Sequence, residues 1–266
     1  MTRTFRIGLL AVGLIVLLFA FGFYVQAWWA TSLWPVQSSR LSHIFISSIL
    51  AAIGCPAIWI ALANERRALA AGALDLMVVN FGVAATGLYF YSATDNFGML
   101  LIAIVTAALF LLCVGLFRYG NAVPFRDQRP TPLAVRIAFG VFAFLLAVVA
   151  GLLITLQPNT FPWPLGPENS AIYGFIFLGA MAYFVYGLLY PVWGNACGQL
   201  IGFIAYDAVL IVPFAQHFSG VNPAMRTSLT IYTTVVALSG LFALYFVFMH
   251  SKTRFGALRK VAPPSS

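Results

Sequence analysis

Eight uncharged apolar stretches, each about as long as a bilayer is thick, constrain this chain more than any other feature of it. They run over approximately 7–27, 41–63, 70–92, 97–117, 133–156, 170–193, 196–217 and 228–249. A spanning helix needs about 20 apolar residues. Hydrocarbon supplies no water to satisfy a bare backbone, so each stretch is expected to close its own hydrogen bonds as an α-helix. With 62% hydrophobic and only 8% charged residues, where soluble domains are about a quarter charged, the chain could not cover its apolar surface in water. The sequence predicts an all-α integral membrane protein of about eight transmembrane helices, with no room for a soluble domain. The first stretch exceeds the 7 to 15 residues of a signal-peptide core, which predicts a retained helix.

The formal charge of +8 would suit nucleic acid if it gathered on one folded aqueous surface. Instead it is spread through the connections. Arg3, Arg6, Arg66, Arg67, Arg118, Arg126, Arg129, Lys252, Arg254, Arg259 and Lys260 fall at one face, with Arg136 one turn inside the fifth stretch, and only Arg40 and Arg226 at the other. The positive-inside rule then predicts that both termini are cytoplasmic, in an inner or plasma membrane. The partners expected are membrane lipids, anionic ones at the basic loop and tail, and no nucleic acid.

The two halves of the chain resemble each other. Leu33-Trp34-Pro35-Val36 corresponds to Pro162-Trp163-Pro164-Leu165, Pro56-Ala57-Ile58-Trp59 to Pro191-Val192-Trp193, and Asp75 in the third stretch to Asp207 in the seventh. These matches occur in the same order, 129 to 135 positions apart. They predict two four-helix units, 1–120 and 133–250, joined by a cytoplasmic loop over 121–132 and followed by a basic tail over 251–266. Because each unit has an even number of spans, the repeats are parallel and related by a pseudo-twofold axis along the membrane normal.

Asp75 and Asp207 are the only carboxylates inside the stretches. An Asp at a helix centre costs about 2.5 to 3.5 kcal/mol on insertion scales, so each is expected to face protein or water rather than lipid. At 100° per residue Asp75, Gly82, Thr86 and Tyr89 share a stripe of the third span. Gln199, Tyr206, Pro213 and His217 share one of the seventh, which Asp207 flanks. Asp75, Thr86, Tyr89, Gln199, Tyr206, Asp207 and His217 are therefore the candidate proton or substrate pathway. Gly194, Gly198 and Gly202, four residues apart, predict close helix packing of the seventh span, against the third span or a second copy. Trp28, Trp29, Trp34 and Trp163 lie where the chain leaves the bilayer. They are expected to anchor at the headgroup level, or else to cap a vestibule.

No other motif carries chemistry. His43, His217 and His250 lack metal-ligand spacing, and Cys55, Cys113 and Cys197 are isolated, so no metal or cofactor is expected. The sequence has no phosphate-cradling loop, nucleophile elbow or zinc-protease helix, so it is more readily a non-enzyme. Two functions fit: a proton-coupled transporter of a small solute using Asp75 and Asp207, and a structural or accessory subunit of a larger membrane complex.

Overall fold

The computed structural model describes residues 1–254. Arg259, Lys260 and most of the basic tail lie outside the described residues. Among the described residues nine α-helices follow one another: α1 Arg3–Tyr24, the single turn α2 Trp28–Thr31, α3 Arg40–Ala63, α4 Leu69–Thr94, α5 Phe97–Asn121, α6 Leu133–Ile154, α7 Pro167–Leu189, α8 Trp193–His217 and α9 Arg226–Leu244. Short 3₁₀ turns precede α4 and α9, and a π-helical turn, Tyr245–Met249, extends α9. Among the described residues there is no β-strand, only an isolated bridge between Pro130 and Val192. Apart from α2, every helix is long and apolar enough to cross a membrane, and the chain is built as a polytopic membrane protein.

The helix ends follow local chemistry. Ser39 Oγ accepts from the backbone N–H of Ser42 to cap α3, and Asn96 caps α5 in the same way. Asn64 and Asp95 stop α3 and α4 in the left-handed conformation, which short polar side chains tolerate best. Pro167 opens α7, where a missing N–H costs nothing. Two stops share a geometry. After α1 the chain passes through Gln26 at φ 59° and Ala27 N–H returns to Gly22 O; after α6 it passes through Leu156 at φ 57° and Gln157 N–H returns to Leu152 O.

Helices adjacent in sequence pack as pairs: α1 on α3, α4 on α5, α6 on α7 and α8 on α9. Two further interfaces, α3 with α8 and α4 with α7, join the halves of the chain. The centre of the bundle is thus α3, α4, α7 and α8, while α1, α5 and α6 turn rows of exposed Leu, Ile, Val and Phe outward. The glycine row on α8 packs against α3, the second span, rather than the third. Gly198 lies on the Trp59 ring and Gly202 on Ala52 and Pro56, and Gly194 approaches the Glu65 carboxylate. The third span, α4, packs instead on α7, where a side chain at Gly82 would collide with Phe175.

Glu65 ties this corner together. Its carboxylate accepts from Arg126 N–H at 2.9 and 3.1 Å and from Asp127 N–H at 2.9 Å, and the Arg126 guanidinium donates to Ala63 O. Asp127 pairs with Arg129 and accepts from Gly194 N–H through its carbonyl. Burial pushes the Glu65 carboxyl above the usual carboxylate range, with the two backbone donors pulling the other way.

Two predictions come from this packing. A methyl group at Gly194 would fall 2.7 Å from Glu65 Oε2 and 2.8 Å from the Asp127 carbonyl oxygen, whereas one at Gly115 meets nothing within 4 Å. Thermal unfolding in detergent should show Gly194→Ala destabilised by about 1–3 kcal/mol and Gly115→Ala unchanged or stabilised by up to about 1 kcal/mol. For Glu65, a folded-state pKa above the unfolded one stabilises fully below the unfolded value, and that contribution is lost as pH rises through the folded value. Unfolding midpoints measured across that window should fall with rising pH in the native chain, and Glu65→Gln should remove that part of the slope.

Candidate functional site: a cavity between the two halves

A cavity of about 230 Å³ lies between α3, α4, α6, α7, α8 and α9. Its wall is mostly aliphatic and aromatic, and both Asp75 and Asp207 open onto it. Asp75 makes no hydrogen bond among the described residues. Its side chain rests directly on Gly179 of α7, where a methyl group would also lie 2.8 Å from the Asp75 carbonyl oxygen. Asp207 is 5% exposed and faces α9. The Ser239 hydroxyl donates to Asp207 Oδ2 at 2.8 Å and lies 2.7 Å from Val235 O, while Asp207 Oδ1 is buried without a partner among the described residues. The two acids thus differ in packing partner.

α4 and α8 both start at the arginine-rich end, so helical rise sets the depth of each acid. At 1.5 Å per residue, Asp207 lies roughly 12 Å farther along the bundle than Asp75. Gln199 and Tyr183 share the Asp75 level. Gln199 Nε2 donates to Tyr183 O at 2.6 Å, and Gln199 Oε1 is buried without a partner among the described residues. Tyr206, Tyr232 and Ser239 surround the Asp207 level, and Tyr232 Oη is a third buried polar atom without a partner. Buried polar groups are nearly always hydrogen-bonded, so several orphans around one cavity mark a place where water or a ligand belongs.

Aromatic rings bound the cavity on both sides. Towards the tryptophan-rich loops, Phe45 contacts Phe161, Trp163, Tyr173, Phe177 and Tyr206 with ring centroids 4.6 to 6.3 Å apart. Phe177 and Tyr206 belong to this cluster and to the cavity wall alike. Along the α6 side of the wall, Phe203 packs on Phe142 and Phe184 at 4.6 and 4.8 Å. Sideways there is a mouth: Leu145 of α6 and Ile231 of α9 line the cavity and are 40% and 57% exposed on the apolar belt.

Of the residues chosen from sequence, Asp75, Gln199, Tyr206 and Asp207 meet at the cavity. Thr86, Tyr89 and His217 do not line it. Thr86 is buried farther along α4, Tyr89 is 68% exposed on the outer surface, and His217 Nε2 sits 3.2 Å from Pro162 O at the tryptophan-rich end. The stripe on α4 leaves the cavity because the outer half of that helix is spent on close contacts with α7 and α5, at Gly82 and Gly87.

The four tryptophans divide. Trp28 and Trp29 are exposed. Trp34 is half-buried and its Nε1 donates to Asn169 Oδ1 at 3.1 Å, while Trp163 is buried and donates to Ser42 Oγ at 2.9 Å. The latter two join the halves at the end opposite Glu65, aided by Tyr173 Oη donating to Ser42 O. Sequence reasoning missed Phe45, Tyr183, Phe203, Tyr232 and Ser239. Only Ser239, a hydroxyl in an apolar span, carried a local signal. Among the described residues no group of three or more His, Cys, Asp and Glu is placed to hold a metal ion.

Compared with protein-family models, with curated proteins and with solved structures, the chain matches none. The cavity and its side chains alone carry the functional reading.

Truncating the ring at the centre of the closing cluster should be costly. Phe45→Ala is expected to destabilise by about 3–5 kcal/mol, against about 0.5 kcal/mol or less for the outward-facing Leu238→Ala, both read from unfolding in detergent.

Proposed function

We propose that this chain is a proton-coupled carrier of a small solute, with Asp75 and Asp207 as the protonatable groups of one central cavity. The observation that carries this reading is that both intramembrane acids open onto the same cavity, beside buried polar atoms that lack partners. A dry structural bundle has no use for such an arrangement, since each unpartnered buried group costs about 1–3 kcal/mol. The Ser239 hydroxyl has one proton for two acceptors, Asp207 Oδ2 and Val235 O. A proton on Asp207 allows that oxygen to donate to Ser239 Oγ while Ser239 donates to Val235 O, and its loss breaks the relay. Proton exchange at Asp207 is therefore coupled to the α8–α9 contact that forms one wall of the site.

In this reading the chain is two parallel four-helix units about a pseudo-twofold axis along the membrane normal. Exchanging the halves turns the α3–α8 interface into α7–α4, and α1 on α3 into α6 on α7, all of which are present. The matching stops at Gln26 and Leu156, 130 residues apart, support the same exchange. Under the positive-inside rule the arginine-rich end lies at the cytoplasmic face of an inner or plasma membrane. Cysteine labelling from either side tests that orientation.

Flux in proteoliposomes tests the function. A panel of small solutes is first screened by thermal shift on the purified protein, and those that stabilise it are then followed under an imposed pH gradient. Acid-driven flux should fall at least about tenfold in Asp207→Asn and in Asp75→Asn while helical content stays unchanged. Flux that persists in the double variant would sink the mechanism. So would the absence of gradient-driven movement of any stabilising solute, which favours an accessory-subunit role.

A further inference from the structure

From the same cavity we infer that the solute is a small apolar amine, bound as its ammonium at Asp207, which enters sideways from the bilayer between α6 and α9. This inference deepens the carrier reading and rests on the site that reading assigns.

Charge decides the ligand class. The cavity wall contains two carboxyl side chains and no Lys, Arg or His. An anionic solute would meet only repulsion there, and a neutral hydrocarbon would leave Asp207 Oδ1 and Tyr232 Oη as they stand, buried and without partners. An ammonium has three donors and no acceptor. Placed at the Asp207 level it would donate to that carboxylate, and the rings of Tyr206, Tyr232 and Phe177, which line the same cavity, attract a desolvated cation. Asp207 is the anchor rather than Asp75 because its free oxygen is fully buried and it lies nearer the depth of the mouth.

Volume sets the size. A dry cavity of about 150 Å³ holds benzene, which has six heavy atoms. The present cavity, about 230 Å³, accommodates roughly nine at the same filling. An aryl or branched alkyl amine of that size fits, and a drug-sized molecule does not.

The route follows from the packing. Towards the tryptophan-rich end the Phe45 cluster stands between cavity and water, and towards the arginine-rich end Trp59, seated on Gly198, and the buried Trp193 do so. α6 packs on α7 and α9 on α8, but α6 and α9 form no packed interface with each other. Leu145 and Ile231 are the side chains that face the cavity and the apolar exterior alike. A neutral amine partitions into hydrocarbon, passes this gap, and takes its proton at Asp207. The N–H bond formed on the amine replaces the O–H bond lost from the carboxyl group, so charge and protons balance without another reactant.

The probe is 2-phenylethylamine, with propylbenzene and 3-phenylpropanoate as neutral and anionic counterparts of similar shape, titrated onto the full-length protein in detergent by calorimetry. The amine should bind at least about tenfold more tightly than either counterpart. Asp207→Asn should weaken it by at least about tenfold and Tyr232→Phe by about threefold. Tyr232→Phe keeps the ring and so remains informative should Asp207→Asn fail to fold. Equal binding of propylbenzene, or amine affinity unchanged in both variants, would overturn the ligand assignment. Introducing Leu145→Trp and Ile231→Trp together should slow association in nanodiscs by about tenfold with equilibrium affinity nearly unchanged; an unaltered association rate would overturn the lateral route. Amine binding without gradient-driven flux would defeat the carrier reading alone. Acid-driven flux of another solute, with no amine binding, would defeat this inference alone.

Discussion

Apolar side chains gain nothing by leaving a hydrocarbon solvent, so a bundle of this composition depends on how closely its helix backbones can approach. Gly13, Gly54, Gly87, Gly120 and Gly174 permit it between successive spans, and Gly198, Gly202, Gly82 and Gly179 permit it along α3 with α8 and α4 with α7. The last two are the interfaces that join the halves of the chain. Were they wider by a side chain, the acids on α4 and α8 would no longer share a wall, and the polar clasps at Glu65 and at Trp34 and Trp163 would have nothing to hold. The glycines set the distance, and the clasps at both ends set the register.

The same constraint explains why the cavity lies where it does. α6 packs on α7 and α9 on α8, and α6 and α9 form no packed interface with each other. The aromatic cluster around Phe45 fills the bundle towards the tryptophan-rich end and Trp59 and Trp193 fill it towards the other, which leaves an interior apolar in its wall and acidic by charge. Asp207 is held by a single hydroxyl and Asp75 by none among the described residues. Neither acid has the multiple donors that would mark it as a structural fixture.

Much of the fold was legible because a spanning helix is a one-dimensional signal. The eight stretches read from hydropathy coincide with the eight long helices to within a few residues. The glycine row on α8 was legible as a packing face, but not its partner: Trp59 and Pro56 lie on α3, and nothing local to α8 says which helix will present a flat surface to it. The acids were legible because charge is expensive in lipid. Their neighbours were not, because Tyr183, Phe203 and Tyr232 look like any other aromatic residue until tertiary packing turns them to a common space. The stripe through Thr86 and Tyr89 shows the limit of a helical wheel, which assigns a face along the whole helix although different turns of α4 meet α7, α5 and the exterior.

The pairing of helices also bears on how the chain is assembled during synthesis. Four of its interfaces, α1 with α3, α4 with α5, α6 with α7 and α8 with α9, join successive spans and can close as each hairpin emerges. The interfaces α3 with α8 and α4 with α7 cannot. At about 5–20 residues per second, the glycine-bearing face of α4 and the Trp59 face of α3 wait roughly ten seconds for α7 and α8 to be made. For that interval the first half is a half-built bundle whose inner surface is open to lipid and to other nascent helices. The order of translation leaves it dependent on whatever shields that surface within the membrane.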